Sequence, residues 1–148
     1  MIVSRVRKEN NVINYDFSCY VLKYEVESIR GLRYKKDLFN HQNGEKVPLI
    51  WNYKHHDPES NLGYVVLENR YDGVYAYCYL SDTPSGKAAL DILDCVALGP
   101  CVVGYKIKDK YIVDGRIANC SLMCERIDDN EAYHPVLNKD KKGEQNDN

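Results

Sequence analysis

Two groups of side chains in this sequence are able to do chemistry. His55, His56 and Asp57 follow Trp51 by four to six residues. A histidine changes its charge near neutral pH, so either of the two could act as a general base or bind a metal ion. The alternative interpretation is a polar loop that contains two histidines without a chemical role.

A second candidate is Cys101, which lies on an apolar segment directly after Gly99 and Pro100. A cysteine acts as a nucleophile when a neighbouring base accepts or shares its proton. Without such a base, a cysteine on an apolar strand is a core residue. The local sequence leaves both interpretations of Cys101 open.

The chain contains six cysteines, at positions 19, 78, 95, 101, 120 and 124, and none of them forms a Cys-x-x-Cys pair. Cys120 and Cys124 would face the same side of a strand, which leaves a metal site or a disulfide open as an alternative. Cysteines in a chain without a secretion signal are mostly small buried hydrophobes in a reducing compartment. We therefore expect neither a metal ion nor a cofactor.

Length and charge narrow the class of protein. The 148 residues correspond to one domain, and the formal net charge of −2 gives no general attraction to nucleic acid or to an anionic membrane. No apolar run approaches the roughly 20 residues of a membrane span, and residues 1–8 lack the apolar core of a signal peptide. The composition predicts a soluble intracellular protein whose thirteen tyrosines favour half-exposed strands and contact surfaces.

Strand patterns dominate the chain. Runs of alternating, β-branched and aromatic residues predict strands at 11–24, 47–53, 62–69, 73–80, 101–108 and 116–125. The third and fourth of these form a predicted hairpin. Its alternation places Tyr75, Tyr77 and Tyr79 on one face, which is either an outer surface or core.

One helix is predicted between the hairpin and the next strand. Thr83 is a suitable N-cap, and Pro84 stands at the first helical position. The apolar face of this helix comprises Ala89, Ile92, Leu93 and Val96. The pattern predicts a mainly β fold with α (α+β), a small β-barrel or sandwich with one helix packed on it, in a single domain over residues 1–137. Residues 138–148 contain no apolar side chain and predict a polar, disordered tail.

The order and spacing of several motifs resemble those of the prohead maturation proteases of tailed bacteriophages. The resemblance covers about residues 16–124. In chain order the motifs are Val47-Pro48-Leu49-Ile50-Trp51-Asn52, Asp57-Pro58, Leu62-Gly63, Leu67-Glu68-Asn69-Arg70, Asp72-Gly73-Val74-Tyr75-Ala76-Tyr77-Cys78 and Asp82-Thr83-x-x-Gly86-Lys87. This family is similar to herpesvirus assemblin, a serine protease on an antiparallel β-barrel flanked by helices, so the resemblance implies that fold.

The resemblance also implies where the catalytic residues would lie. The family's catalytic histidine corresponds to Tyr53, its serine nucleophile to Cys101, and its acidic partner to Asn119. All three positions depart from the family pattern. Tyrosine, with a reference pKa of about 10, is a poor base near neutral pH. His55, which matches an accessory histidine of the family, is the one alternative base for Cys101.

The sequence therefore predicts a pseudoprotease, not an enzyme: a structural protein of a bacteriophage virion that binds the major capsid protein or another virion protein. Decoration of the capsid, a minor capsid role and self-association all fit this prediction. Its location would be the virion, with the host cytoplasm during assembly, and no nucleic acid or membrane would be bound. Two alternatives stay open: an active cysteine-type prohead protease that uses Cys101 and His55, and an assembly factor that is not packaged.

Overall fold

The computed structural model describes residues 12–54, 57–124 and 133–141. These residues form eight strands and one α-helix, joined by turns and three short 3-10 helices. The strands are β1 (Phe17–Lys23), β2 (Arg33–Tyr34), β3 (Lys46–Trp51), β4 (Asn61–Arg70), β5 (Gly73–Leu80), β6 (Ala97–Lys108), β7 (Tyr111–Met123) and β8 (Val136–Leu137), and the helix α1 is Pro84–Asp91.

All eight strands belong to one sheet, in the order β2-β7-β3-β4-β5-β1-β8, with β6 on the other edge of β7. The predicted class, mainly β with one helix, is confirmed. The prediction of a wholly antiparallel sheet is wrong, because β7 runs parallel to both β2 and β3. Alternation of side chains along a strand carries no information about the direction of strands that are distant in sequence, so the pattern could not predict these pairs.

Within the described residues the strand ladders do not close into a barrel. Two isolated bridges join the two ends of the open sheet. One pairs Tyr24, just after β1, with Tyr34 of β2, and the other pairs Leu98 of β6 with Tyr133, just before β8. The sheet is thus strongly curled, with its ends in contact at two points.

Strand β7 is the centre of this arrangement, because it has partners on both edges. One edge pairs with β6, and the other pairs with β2 at Tyr111 and with β3 from Cys120 onwards. Between these two partners lies the amide side chain of Gln42, which is 1% exposed. Its Nε2 donates to the carbonyl of Ile117 at 2.9 Å, and its Oε1 accepts from the amide of Ile117 at 2.8 Å. One side chain therefore takes the place of a strand in the gap between β2 and β3.

The hairpin β4–β5 forms as predicted, in a register that runs from Gly63 opposite Leu80 to Arg70 opposite Gly73. Glycine is required at position 63: its φ is +149°, and a Cβ there would lie 1.9 Å from the carbonyl oxygen of Tyr79. The alternate residues of β5, Val74, Ala76 and Cys78, are buried. The face that carries Tyr75, Tyr77 and Tyr79 is therefore the outer surface, and the alternative that it forms core is wrong.

The tyrosines of this outer face are tied to charged neighbours. The guanidinium of Arg70 lies 3.7 Å from the centroid of the Tyr75 ring, donates to Glu68 at 2.7 Å and donates to the hydroxyl of Tyr77 at 3.1 Å. Burial, and then the charge of Glu68, raises the pKa of Tyr77 to about 12. The hydroxyls of Tyr20 and Tyr77 both donate to carboxylates of the chain itself, so this face is a connected and stiff polar layer.

Helix α1 begins where the sequence predicts and ends earlier. Thr83 caps it by accepting a hydrogen bond from the amide of Gly86 at 3.1 Å. The helix stops at Asp91, and a 3-10 turn over Leu93–Cys95 leads directly into β6. The predicted apolar residues Leu93 and Val96 are buried, but they lie in the 3-10 turn and in extended chain. The prediction of one continuous helical face is therefore wrong, and its fourth member, Ile92, is 38% exposed. Strand β6 also begins at Ala97, before the predicted start at Cys101.

The chain end packs on the first strand. Residues 138–141 of the predicted tail are described, and there Asn138 Nδ2 donates to the carbonyl of Tyr15 at 2.8 Å. The ammonium of Lys141 forms an ion pair with the buried carboxylate of Asp16. The rest of the predicted tail, 142–148, lies outside the described residues. None of the helices in the described ranges has the length and apolar character that a membrane crossing needs.

Replacing Gln42 by methionine, which has a similar length and no amide, should lower the free energy of unfolding by about 2–4 kcal/mol, because both main-chain groups of Ile117 would be left buried without partners. Urea denaturation of the purified protein measures this difference. His41→Ala, in the same 3-10 turn at an exposed position, is the matched control and should change the stability by less than about 0.5 kcal/mol. Equal stability of Gln42→Met and the native chain would show that the amide does not hold β7.

Candidate functional site

The fold brings together the three positions that the family resemblance implies. Cys101 on β6 lies directly opposite Asn119 on β7 in the ladder between these strands. Tyr53 follows the end of β3, and its hydroxyl donates a hydrogen bond of 3.4 Å to the carbonyl of Pro100, the residue before Cys101. Positions far apart in the sequence therefore share one place in the structure.

The turn after β3 fixes the position of Tyr53. Asn52 and Tyr53 both have left-handed backbone conformations, with φ values of 54° and 59°, which cost energy for residues with a side chain. Three contacts offset this cost. The amide of Asn52 donates to the carbonyl of Leu122 at 2.7 Å, and the amide of Tyr53 donates to the hydroxyl of the buried Ser121 at 2.7 Å. The ring of Tyr53 also packs against a small cluster formed by Ala97 and Met123.

The polar groups at this place lack the pairing of a catalytic triad. The Tyr53 hydroxyl uses its proton in the bond to Pro100, so it is a donor in the position where a base would be needed. The side-chain oxygen of Asn119 is buried and has no hydrogen-bond partner among the described residues. An amide oxygen in that position could orient an imidazolium, but no described histidine is hydrogen-bonded to it.

The histidines lie elsewhere or outside the described residues. His55, the predicted alternative base, and His56 fall between residues 54 and 57, which are not described. His134 Nδ1 lies 3.1 Å from the carbonyl of Val96. Val96 precedes Cys101 by five residues, which corresponds to about 16 Å of extended chain. His41 is exposed in its 3-10 turn.

The cysteines fall into three environments. Cys19, Cys78 and Cys120 are buried, and burial raises the pKa of each thiol. Cys95 and Cys124 are exposed, and Cys101 is half-buried. A metal site or a disulfide was left open for Cys120 and Cys124. Both are free thiols, and Cys120 is buried whereas Cys124 is exposed. Among the described residues no group of three metal-ligating side chains is present.

An open cavity of about 190 Å³ lies beside Tyr53 and Pro100. Its remaining walls come from β6, from β2 with the loop that leads into it, and from the start of β7; they are Arg30, Leu32, Tyr34, Val102, Tyr105, Ile107 and Ile112. Sequence reasoning missed both the Ser121 hydroxyl that holds Tyr53 and the loop around Arg30. Neither carries a local pattern, because each acquires its role only through contacts between distant strands.

Comparison of the chain with protein-family models, with curated proteins and with solved structures finds no match.

The cysteines provide a direct test of this site. In the native protein, iodoacetamide should label Cys95 and Cys124 first and Cys101 more slowly, because Cys101 is half-buried and has no base beside it among the described residues. Cys19, Cys78 and Cys120 should react only after unfolding. Mass spectrometry of peptides from a time course measures the six rates.

The matched control for this experiment is Tyr53→Phe, which keeps the ring and removes only the hydroxyl, and which should leave the Cys101 rate unchanged. Labelling of Cys101 faster than that of both exposed cysteines would contradict an inactive site. If that fast labelling disappeared in His55→Ala, a working cysteine–histidine pair would be identified.

Proposed function

We propose that this chain is a non-catalytic structural protein of a bacteriophage virion, bound to the major capsid protein and derived from an inactive prohead protease. The fold that accompanies this proposal is a small β-barrel of the assemblin type with one helix. Its support is the curled sheet, whose two ends meet at the bridges Tyr24–Tyr34 and Leu98–Tyr133.

The single observation that carries the proposal is the meeting of Tyr53, Cys101 and Asn119 at one place. Three positions chosen only by their match to a protease pattern converge in the ladder between β6 and β7 and in the turn that contacts it. Unrelated positions would be scattered over the sheet. The convergence therefore supports common ancestry with a protease site.

The residues found there support the loss of catalysis. Attack by a cysteine needs a base that accepts its proton, and the hydroxyl of Tyr53 is instead a donor to a main-chain carbonyl. The neighbouring Asn119 is uncharged and cannot stabilise an imidazolium as a carboxylate does. The site is held together by the packing of the Tyr53 ring and by the hydrogen bonds of Tyr53 to Ser121 and Pro100. Contacts of this kind stabilise a structure and do not require catalysis.

A domain retained without chemistry must act through its surface. The outer face of β1, β4 and β5 exposes parts of several tyrosine rings, including Tyr20, Tyr64 and Tyr75, and these rings offer apolar area with little conformational freedom to lose. Because the hydroxyls of Tyr20 and Tyr75 and the guanidinium of Arg70 already have partners within the chain, docking on them would not require a rearrangement. Such a surface suits repeated binding to the equivalent sites of a symmetric shell.

Purified chain should cleave neither capsid protein nor scaffold protein, since the described residues of the site include no base and no charged partner for one. The combined variant Tyr53→His, Cys101→Ser, Asn119→Glu should give trace cleavage at most, and each single change should give none. Gel analysis of the precursor after incubation measures this. Efficient cleavage by the native chain that is lost in Cys101→Ala would refute the proposal and establish a cysteine protease.

The proposed location has its own test. Quantitative mass spectrometry of purified particles should find the chain in tens to hundreds of copies relative to the major capsid protein, the number being set by the symmetry of the shell. Its absence from particles, or a trace amount, would contradict a virion role and favour an assembly factor that is not packaged.

A further inference from the structure

Among the described residues, the second half of β6 has a strand partner on one edge only. From Pro100 to Lys108 this strand pairs with β7 on one side, and on the other side the described residues contribute no ladder, since the only bridge is at Leu98. Every residue from Val103 to Lys108 is exposed. Unpaired backbone groups along an exposed strand are a template for another extended chain.

The side chains on this free half separate into two faces. A bulge at Gly104, where φ is +62°, interrupts the alternation. Beyond it the register shifts once more, between Lys106 and Ile107, and there Tyr105 and Ile107 line the 190 Å³ cavity whereas Lys106 and Lys108 do not. Tyr105 and Ile107 are 54% and 51% exposed, which is unusual for large apolar residues that stand side by side.

The charge of the segments around β6 indicates which kind of partner would bind there. Residues 25–37 and 100–116 together contain eight basic and five acidic side chains, a net charge of +3 in a chain whose formal net charge is −2. Arg33–Glu27 and Lys106 opposite Asp114 are already within this count, whereas Arg116 pairs with Glu45 from outside the two segments. With Glu45 counted, eight basic and six acidic side chains leave a net charge of +2 at this end of the sheet.

We infer that the free half of β6 and its cavity bind an extended protein segment in which apolar residues alternate with carboxylates. The apolar side chains of the segment enter the cavity between Tyr105, Ile107 and Leu32, and its carboxylates face Lys106 and Lys108. Main-chain hydrogen bonds to β6 add affinity that does not depend on sequence. The positive charges of Lys106 and Lys108 repel basic segments and so make binding selective for acidic ones.

A second copy of this chain fits the edge less well. Pairing two β6 strands would bring the lysines of both copies, Lys106 and Lys108, to one side of a continuous sheet, where like charges oppose each other. The bulge at Gly104 also shortens the regular stretch that two copies could share. Both features are common protections of an edge against self-association, and neither opposes an acidic partner.

The probe for this inference is an acetylated, amidated heptapeptide of alternating glutamate and leucine. Added to the full chain, it should shift the backbone NMR signals of residues 100–108 and of the loop at 29–34. Its affinity should fall as salt is raised, since exposed charges are screened. A peptide with lysine in place of glutamate is the chemical control and should not bind.

Charge reversal makes the test specific. The variant Lys106→Glu, Lys108→Glu should weaken binding of the glutamate peptide by about tenfold or more and should gain binding of the lysine peptide. The matched control, Lys87→Glu with Lys139→Glu, changes two exposed lysines that lie outside β6 and do not line the cavity, and it should leave the affinity unchanged. A second variant, Tyr105→Ser, removes an exposed ring that packing of the core does not require, and should also weaken binding.

Absence of binding, shifts confined to another surface, or an affinity that charge reversal leaves unchanged would overturn the inference. This inference goes beyond the virion proposal, and the two fail separately. Peptide binding in a chain that is missing from particles would contradict only the proposed location. Abundance in particles without peptide binding would contradict only the β6 site.

Discussion

The hydrogen bonds between Gln42 and Ile117 are the constraint on which the arrangement of strands depends. A strand with a partner on one edge can leave its other edge to water, but Ile117 is fully buried, so its main-chain groups need partners within the protein. The pairing of β2 with β7 stops at Ile112 and that of β3 begins at Cys120, so neither strand pairs with Ile117. The amide of Gln42 completes the row, and it thereby fixes how far apart β2 and β3 can lie and how the chain passes between them.

Local patterns predicted the elements whose structure is decided locally. The hairpin β4–β5 and the cap of α1 at Thr83 follow from turn and capping preferences that involve neighbouring residues. The parallel partners of β7 and the role of Gln42 could not be predicted, because they depend on which distant segments meet. The end of α1 was predicted too late because Leu93 and Val96 reach the core from a 3-10 turn and from extended chain, so their apolar spacing does not require a longer helix.

The candidate site, too, could be predicted from the sequence only in part. Residue types alone left Cys101 open between nucleophile and core residue, and only the resemblance to a protease family named Tyr53 and Asn119 beside it. That these positions meet is a property of the fold. How they meet is decided by Ser121 and by two consecutive left-handed residues, Asn52 and Tyr53, which no pattern in the sequence indicates.

Tyr53 is held at its amide, its ring and its hydroxyl, and each contact is made with a different part of β6 or β7. In evolutionary terms such a position is entrenched. A substitution there is acceptable only together with changes at its neighbours, because residues that share contacts do not contribute independently to stability. A smaller or charged residue at position 53 would lose the packing on Met123 and Ala97, and changes at these neighbours would first have to compensate for that loss. The order in which mutations can accumulate at this end of the molecule is therefore restricted by the structure itself.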